Sequence, residues 1–551
     1  MGFDLAVLNR LRRMGTVATV FSPVSLFAAS EPGVWYDPSD LTTMFQDTAG
    51  TTPVTTPGQT VALLLDKSKG LVLGSELVTN GNFSNGTTGW SSGSGAVLSD
   101  DAGRLKVTLA GSQGWAAQSI STVIGASYRV DFTVTNGDAT GVYLFIGTAN
   151  NNTAENYDSG AKANGTYTAI FRATATTTFI KPFVLGSAGK FAFYDNISVK
   201  ELPGNHATQA TTASRPTYGI QPLGGRRNLL TRTEEFGDAD WVKSGSPTLT
   251  SQGGGVWRLQ ASAGSWLLYQ ARPLSGNVAF SIEVKSNGAG LDGFMFMRGG
   301  VAVGSNLTAT SDWVRYTTTG TNTGSGDIGI IRNSSLAAVD VLIRFPQLEL
   351  GSTATAYQRV TTQYDVTEAG VQSLSYLSFD GVDDFLVTPT ITPGIDKVQV
   401  FVGVRKLSDA AAGVIVEHSA NSNTNTGSLA FFAPSGASPN YGWRSYGNGA
   451  VGDVTSTTYT APITSVLTGQ GSIATDLSTL RINGTQVGSS SADQGTGNFG
   501  NYPLYLGRRG GTSAPFNGQI YNLIVRFGAN LDAGAITSTE TFVAGKTGVT
   551  L

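Results

Sequence analysis

The chain has 551 residues, with 71 glycines, 13% charged residues, a formal net charge of −3 and no cysteine. This length exceeds what one hydrophobic core supports, so we expect several domains. The near-balanced charge argues against a broad nucleic-acid-binding face. The missing cysteines exclude disulfides and thiolate chemistry, and with His206 and His418 as the only histidines, multi-histidine metal sites are excluded too.

The first thirty residues predict a short amphipathic helix that starts at a capping aspartate. Leu5, Leu8 and Leu11 fall on one side of it, and Arg12 lies at its end. We interpret residues 1–30 as an attachment segment that contacts a larger assembly through these four residues. The alternative is a strap packed on the neighbouring domain.

The same region has some features of a secretory signal. A mildly apolar stretch follows three arginines and ends at Ala28-Ala29-Ser30, which resembles a cleavage site. Pro23 and the interspersed serines and threonines weaken this interpretation. No stretch of the chain has the apolar length of a membrane span.

Four short motifs are separated by long intervals. They are W-Y-D-P-S-D at 35–40, D-K-S at 66–68, G-N-H-A-T-Q at 204–209 with R-P-T-Y at 215–218, and F-D-G-V-D-D at 379–384. In this order they resemble the opening of laminin-G-like, concanavalin-A-type sandwich domains, which are common in bacterial and phage surface proteins. In that family the motifs follow each other closely.

The early segments are too short and too poor in apolar residues to fold alone. We therefore predict one sandwich made of residues 31–73, 203–225 and 363–551, with two domains inserted in its loops. Trp35 and Tyr218 are expected to pack in the same sandwich as Phe379. The alternative is that the short pieces are linkers.

The two inserted units, 74–202 and 226–362, share a plan. Each opens with a leucine-containing strand, continues with a Phe and then a Trp, and ends with an alternating strand about 110 residues later. N-G-N-F at 80–83 with Y-D-N-I-S-V at 194–199, and N-L-L at 228–230 with Q-L-E-L at 347–350, resemble the galactose-binding-like, carbohydrate-binding jelly rolls of bacterial enzymes and phage virion proteins. An internal duplication explains the shared plan.

Alternating segments continue towards the C-terminus, at 398–404, 480–484, 504–507 and 516–525. They resemble the second half of laminin-G-like sandwiches. The predicted fold class is therefore all-β, with three β-sandwich or jelly-roll domains, one of them split by two insertions, after a short N-terminal helical segment.

Catalytic motifs are missing. The E-x-D-x-x-E strand of glycoside hydrolases on this fold is absent, since no Glu has an Asp two positions later. Asp383 and Asp384 are adjacent, and neighbours in a strand point to opposite faces, so we expect a solvated edge or turn there. The chain has no G-x-S-x-G motif of the kind that carries a catalytic serine. We predict that the chain is not an enzyme.

Sugar recognition uses aromatic faces with polar side chains around them. Among the tryptophans, Trp115 and Trp443 follow a glycine and have polar neighbours, and with Arg508 and Arg509 they are the predicted glycan-binding residues. The resemblance to carbohydrate-binding jelly rolls also implies a structural calcium, which maps onto Asp195 with Asn82 as its neighbour; the alternative is a strand end without metal. No other cofactor is expected.

Together these resemblances imply a phage virion surface protein. The leading hypothesis is a tail-fibre or spike-type component, located at the virion surface, that adheres to host-surface polysaccharide as a homo-oligomer, with a trimer favoured. Its N-terminus would bind other virion proteins. One alternative is a capsid decoration or head-fibre protein, and another is a secreted bacterial polysaccharide-binding protein.

Overall fold

The computed structural model describes residues 21–28, 30–245, 247–262, 264–288, 293–322, 326–332 and 338–551. The chain is nearly all β, in several sandwiches, which confirms the predicted fold class. The predicted attachment residues Leu5, Leu8, Leu11 and Arg12 lie outside the described residues. Within the described ranges, no helix has the length and apolarity needed to span a membrane.

Two compact units make up the chain. The first contains the residues up to Thr55, then Thr60–Pro216 and Leu377–Leu551, and the second contains Thr56–Gln59 and Thr217–Tyr376. The first inserted domain therefore belongs to the first unit, and the second inserted domain to the second.

The chain opens with short elements. These are a 3-10 helix at Pro23–Leu26, β1 at Gly33–Tyr36, a 3-10 helix at Leu41–Thr43, β2 at Met44–Phe45 and β3 at Leu63–Leu64.

The first inserted domain is a jelly roll of two five-stranded antiparallel sheets. Its strands are β4 Ser91–Gly93, β5 Val97–Asp100, β6 Leu105–Thr108, β7 Gln113–Ser121, β8 Ser127–Asn136, β9 Gly141–Gly147, β10 Tyr157–Asp158, β11 Gly165–Arg172, β12 Thr177–Leu185 and β13 Phe191–Glu201. The sheets have the orders β10-β9-β12-β7-β4 and β11-β8-β13-β6-β5. Alternation along the strands buries one face of each sheet in a shared apolar core.

The second inserted domain follows β14 Ala207–Thr208, a 3-10 helix at Thr212–Ser214 and β15 Thr217–Pro222. Its strands are β16 Val242–Ser244, β17 Thr248–Gly253, β18 Val256–Ala261, β19 Trp266–Ala271, β20 Gly276–Ser286, β21 Gly293–Arg298, β22 Val301–Thr308, β23 Val314–Asn322, β24 Asp327–Arg332 and β25 Val339–Leu350. The sheet orders are β16-β19-β24-β21-β22 and β17-β18-β25-β20-β23.

The two jelly rolls have the same topology. Matching β4 to β16 and continuing strand by strand to β13 and β25 reproduces both sheet orders. The agreement extends to single residues: Gln118 accepts a hydrogen bond from the backbone N–H of Thr79, and Gln270 accepts the same bond from Thr231. This shared topology supports the duplication that the sequence indicates.

The remaining strands are β26 Arg359–Thr362, β27 Asp365–Thr367, β28 Ser373–Asp380, β29 Leu386–Ile391, β30 Lys397–Lys406, β31 Val414–His418, β32 Ser428–Phe432, β33 Gly442–Tyr446, β34 Val451–Thr455, β35 Ile463–Ser472, β36 Leu477–Ile482, β37 Thr485–Ser490, β38 Tyr502–Leu506 and β39 Asn517–Arg526. A 3-10 helix lies at Ile473–Thr475, and the helix α1 at Ala533–Thr547 ends the fold. In the second unit, β27 pairs with both β15 and β26.

The sandwich of the first unit has two sheets. One runs β28-β39-β30-β35-β36-β37, with β1 also paired to β39, and the other runs β2-β3-β14-β29-β38-β31-β32-β33-β34. Helix α1 and residues 21–27 cover the outer face of the first sheet, where Trp35, Phe401 and Ile524 form an apolar cluster with Val543 of the helix. Residues 21–27 therefore pack on the sandwich as a strap.

The separated sequence motifs meet in this sandwich. Buried Asp66 accepts hydrogen bonds from the backbone N–H of Trp35 at 2.8 Å and of Asn205 at 2.8 Å. His206 in turn accepts one from the N–H of Asp66 at 2.9 Å. Phe379 lies on β28, which pairs with β39 as β1 does. Tyr218 is part of the second unit, and its placement in the same sandwich stays a prediction.

Candidate functional site

An aromatic row crosses the outer face of one sheet in the first jelly roll. Three paired strands place Trp115 opposite Phe183, and Phe183 opposite Tyr143. The Trp115 and Phe183 rings stack with centroids 5.7 Å apart, and Phe145 stacks on Phe183 at 4.4 Å. Because Val142, Leu144 and Ile146 point into the core, alternation along β9 places Tyr143 and Phe145 on the outer face.

Access to these rings is uneven. Trp115 is 7% exposed and Phe183 is 3% exposed, whereas Tyr143 and Phe145 are half-buried. Trp115 packs across Gly93 of β4, where a Cβ atom would lie 2.1 Å from the indole ring. A ligand on this face would therefore contact Tyr143 and Phe145, which pack against buried Phe183.

The loop at 148–155 is fixed beside the row by a buried ammonium group. Lys181 of β12 donates to the backbone oxygens of Ala149 at 2.9 Å and Thr153 at 2.6 Å, and to Oδ1 of Asn151 at 3.2 Å. Asn150 of the same loop accepts the indole N–H of Trp115 at 2.8 Å. The loop and the aromatic row are thus held in one arrangement.

Burial sets the electrostatics of this lysine. Desolvation lowers the pKa of Lys181, and the nearby carboxylate of Glu155 partly opposes that shift. Three oxygen acceptors around one ammonium satisfy its donors, which is the condition for burying a lysine in a sheet.

The predicted residue Trp443 lies between the two sheets of the sandwich. It is 1% exposed, packs on Phe431, and donates its indole N–H to the backbone oxygen of Gln470 at 3.1 Å. A Cβ at Gly469 would lie 2.4 Å from its ring, so the glycine permits this close approach. Its ring has no solvent-facing surface on which a sugar could stack. A tryptophan after a glycine was taken to indicate a sugar-binding ring, but at Trp443 it corresponds to a buried ring between the sheets.

Arg509 and Trp443 nevertheless line the same small cavity of about 160 Å³, together with Arg444 and Phe432. Arg509 forms an ion pair with buried Glu417 at 3.0 Å, and Arg444 forms one with Asp453 at 2.7 Å. Both guanidinium groups are paired with carboxylates, so they form a polar side of the cavity.

Arg508 has a different position from Arg509. Its guanidinium donates to the backbone oxygens of Asp383 at 3.4 Å and Thr512 at 3.1 Å. It ties two loops together.

Asp195 and Asn82, the predicted calcium ligands, each accept a local hydrogen bond, Asp195 at a β-bulge of β13 and Asn82 in the loop before β4. The Asp195 carboxylate accepts the N–H of Asn196 at 2.7 Å, and Asn82 accepts the N–H and hydroxyl of Ser84. Calcium binding by this pair stays a prediction.

Asp380, Asp383 and Asp384 bring ligand oxygens within 4.8 Å of one another, the one such group among the described residues. The solvated edge or turn expected for Asp383 and Asp384 is a turn after β28, but Asp384 is buried in it. Asp380 accepts the N–H groups of Val382 and Asp383. Burial and the charge of Asp380 raise the pKa of Asp384 to about 7.

Sequence reasoning missed Tyr143, Phe145, Phe183 and Lys181. A sequence signal for the aromatic row exists in β9, where the core residues Val142, Leu144 and Ile146 alternate with Tyr143 and Phe145. Such a strand has apolar residues on both faces, and the core buries one face only. The sequence does not show that β9 lies beside β12, so it did not reveal that these rings form a row with Phe183.

No family model matches the chain, and no curated protein matches its sequence. Solved structures similar to parts of the chain include a CBM4 carbohydrate-binding module, 17% identical, covering 22% of this chain and 99% of its own, with a TM-score of 0.19. The CBM40 module of a Ruminococcus gnavus IT-sialidase, bound to alpha2,3 sialyllactose, is 14% identical and covers 27% and 84%, with a TM-score of 0.22. The tandem CBM22 modules of Paenibacillus barcinonensis Xyn10C are 10% identical and cover 50% and 98%, with a TM-score of 0.21. At these values we base no functional assignment on them.

Proposed function

We propose that the protein is a non-enzymatic surface adhesin that binds glycans on the outer sheet face of its first jelly roll. The observation that carries the proposal is the aromatic row, in which half-buried Tyr143 and Phe145 pack against buried Phe183, and Phe183 stacks on Trp115. Pyranose rings present C–H faces that pack on such rings, and their hydroxyls need nearby polar groups. The loop at 148–155 supplies asparagine side chains beside the row.

The rigidity of this face favours binding. Every ring in the row is held by a neighbour in register, and the loop is fixed by Lys181, so little side-chain entropy is lost when a ligand binds. Because a single shallow face gives weak affinity, we propose that several copies act together in a homo-oligomer, with a trimer favoured.

A non-catalytic role agrees with the positions of the acidic residues. The close carboxylate group at Asp380, Asp383 and Asp384 organises a turn through backbone hydrogen bonds. None of these acids lies on the aromatic face.

The cellular context of the proposal comes from the sequence motifs. Their resemblance to phage surface proteins supports a tail-fibre or spike-type component at the virion surface, with host polysaccharide as the partner. A capsid decoration or head-fibre protein remains the alternative. Labelling the C-terminal sandwich and locating the label on virions by electron microscopy separates the two, since label on the head contradicts the tail-fibre proposal.

Glycan binding is tested by screening the full chain on an array of bacterial surface polysaccharides and repeating the screen with Tyr143→Ala. Loss of a stacking ring is expected to reduce affinity for a hit about tenfold. Met295→Ala is the matched control, because Met295 occupies the equivalent register position in the second jelly roll and should leave binding unchanged. Equal binding by Tyr143→Ala and the unmodified chain would contradict the proposed site.

A further inference from the structure

A cleft of about 780 Å³ lies where the first jelly roll contacts the sandwich, away from the aromatic row. The two parts are joined there by a backbone hydrogen bond from the N–H of Ile170 on β11 to the oxygen of Ala49, at 2.7 Å. The volume is within the range of small-molecule sites. Both parts contribute to its walls.

The floor of the cleft is aliphatic. It is formed by Phe45, Leu65, Leu71, Leu73, Ile170 and Leu202, which also form one apolar cluster with Leu63. Leu71 and Leu73 are only half-buried, so part of this apolar surface faces the open cleft.

Five hydroxyl groups of the rim already have hydrogen-bond partners. Thr42 donates to Asp40, Thr51 to Asp47, and Thr168 to Asp131, while Thr166 shares a hydrogen bond with Thr133. The hydroxyl of Tyr167 donates to the backbone oxygen of Ala163 at 2.9 Å. A sugar, with several hydroxyls to satisfy, would find few partners here.

Two cations line the mouth, and they differ in their partners. Arg129 forms an ion pair with Asp131 at 2.9 Å. Lys162 has no ion pair within the described part of the chain, and its ammonium lies 4.9 Å from the centre of the Tyr167 ring. Asp47 and Asp158, the acids near Tyr157 of the cleft wall, accept backbone N–H groups of their own turns and form no ion pair among the described residues. Lys162 is therefore a cation without an ion-pair partner beside an aliphatic floor.

From this combination we propose that the cleft binds a small anionic amphiphile, namely an aliphatic chain that carries a single carboxylate. The chain lies on Leu71, Leu73 and Ile170, and the carboxylate meets the ammonium of Lys162. This site is independent of the proposed glycan face, because the ligand class and the residues are different.

The test uses the full chain and two soluble probes of equal chain length and opposite charge, decanoate and decyltrimethylammonium, below their micellar concentrations. Isothermal titration calorimetry is expected to show one decanoate site, with decyltrimethylammonium about fivefold weaker or more, as the loss of a partly exposed ion pair implies. Amide hydrogen exchange should slow in residues 42–53 and 162–170 when decanoate binds.

Variants of Lys162 distinguish the contribution of the ion pair from that of the probe's aliphatic chain. Lys162→Gln should remove the preference between the two probes, and Lys162→Glu should reverse it. Lys190→Gln is the matched control, because Lys190 is an exposed lysine of the same domain that pairs with Asp138 outside the cleft. Leu73→Asn should weaken both probes about tenfold through lost apolar contact.

Three outcomes would overturn the proposal: no decanoate binding, an unchanged preference in Lys162→Gln, or slowed exchange elsewhere than in the cleft. Tyr143→Ala should leave decanoate binding intact. A negative glycan screen would therefore not contradict decanoate binding in the cleft, and absence of decanoate binding would not contradict the glycan site.

Discussion

The two jelly rolls share every strand and differ on one outer face. Aligned through Gln118 and Gln270, the row Trp115, Phe183 and Tyr143 of the first becomes Leu267, Ile331 and Met295 in the second, where Leu267 is opposite Ile331 and Ile331 is opposite Met295. The cores and the clamping glutamines are retained, while this row of three residues changes from aromatic to aliphatic. The outer face, which the fold does not need, is therefore where the two domains diverged in chemistry.

The largest effect is expected from replacing a core tryptophan, which tests whether the cores of the two jelly rolls are energetically equivalent. Trp90 donates its indole N–H to the oxygen of Asn80, and Trp241 donates to that of Arg232. Replacing either tryptophan by alanine should lower the free energy of unfolding of its own domain by about 3–5 kcal/mol. Hydrogen exchange resolved by domain is the measurement. If one replacement costs far less than the other, the shared topology does not extend to energetics.

A smaller loss is expected from the glutamine clamps. Gln118 and Gln270 are buried, and each amide both donates to and accepts from the backbone of its threonine, Thr79 or Thr231. Changing either to alanine leaves backbone groups without partners and should cost about 2 kcal/mol. Chemical denaturation followed by tryptophan fluorescence measures this, and a change in only one domain would contradict the equivalence of the clamps.

Lys181 belongs to the first jelly roll alone. Register places it opposite Phe145, and the matching position opposite Met297 in the second is Gly329. Lys181→Met should destabilise the loop at 148–155 by about 1–2 kcal/mol, because three oxygens lose their donor. We expect faster amide exchange in that loop and weaker glycan binding, with exchange in the second jelly roll unchanged. Unaltered loop exchange would show that the ammonium does not fix the loop.

The last prediction concerns the dependence of the sandwich on pH. Because the pKa of Asp384 is raised to about 7, the folded state holds a proton that the unfolded state releases near pH 4. The unmodified chain should therefore lose stability relative to Asp384→Asn as pH rises from about 4 to 7. Buried His418, whose pKa is lowered to about 4, contributes the opposite trend in both proteins. Thermal unfolding of both proteins at pH 4.5 and 8 measures the difference, and an equal change in the two would contradict the prediction.

Much of the fold could be predicted because its signals are local. The motifs around Trp35, Asp66 and Asn205 were recognised from their order, and the structure joins them through one buried carboxylate. Helix α1 was missed because Ala533–Thr547 contains two glycines and four threonines, which are weak helix formers. An Asp532 cap and an ion pair from Arg481 to buried Glu540 stabilise it, and the ion pair is a long-range contact.

The candidate site was less predictable for the same reason. A tryptophan after a glycine marked both Trp115 and Trp443, yet the first lies on an outer sheet face and the second between two sheets. Which face of a strand is covered depends on the neighbouring strands and sheets, and one sequence does not specify them. Lys162 and the cleft leucines Leu65, Leu71 and Leu73 are likewise more than 85 residues apart in the chain.

The ammonium of Lys181 occupies a ring of oxygens of the kind that proteins often give to a divalent metal ion. Here the cation is covalently part of the chain. This cation cannot be removed by a chelator or lost by dilution, so the loop at 148–155 is held without a metal ion from solution. The proposed glycan face therefore needs no divalent ion to hold this loop.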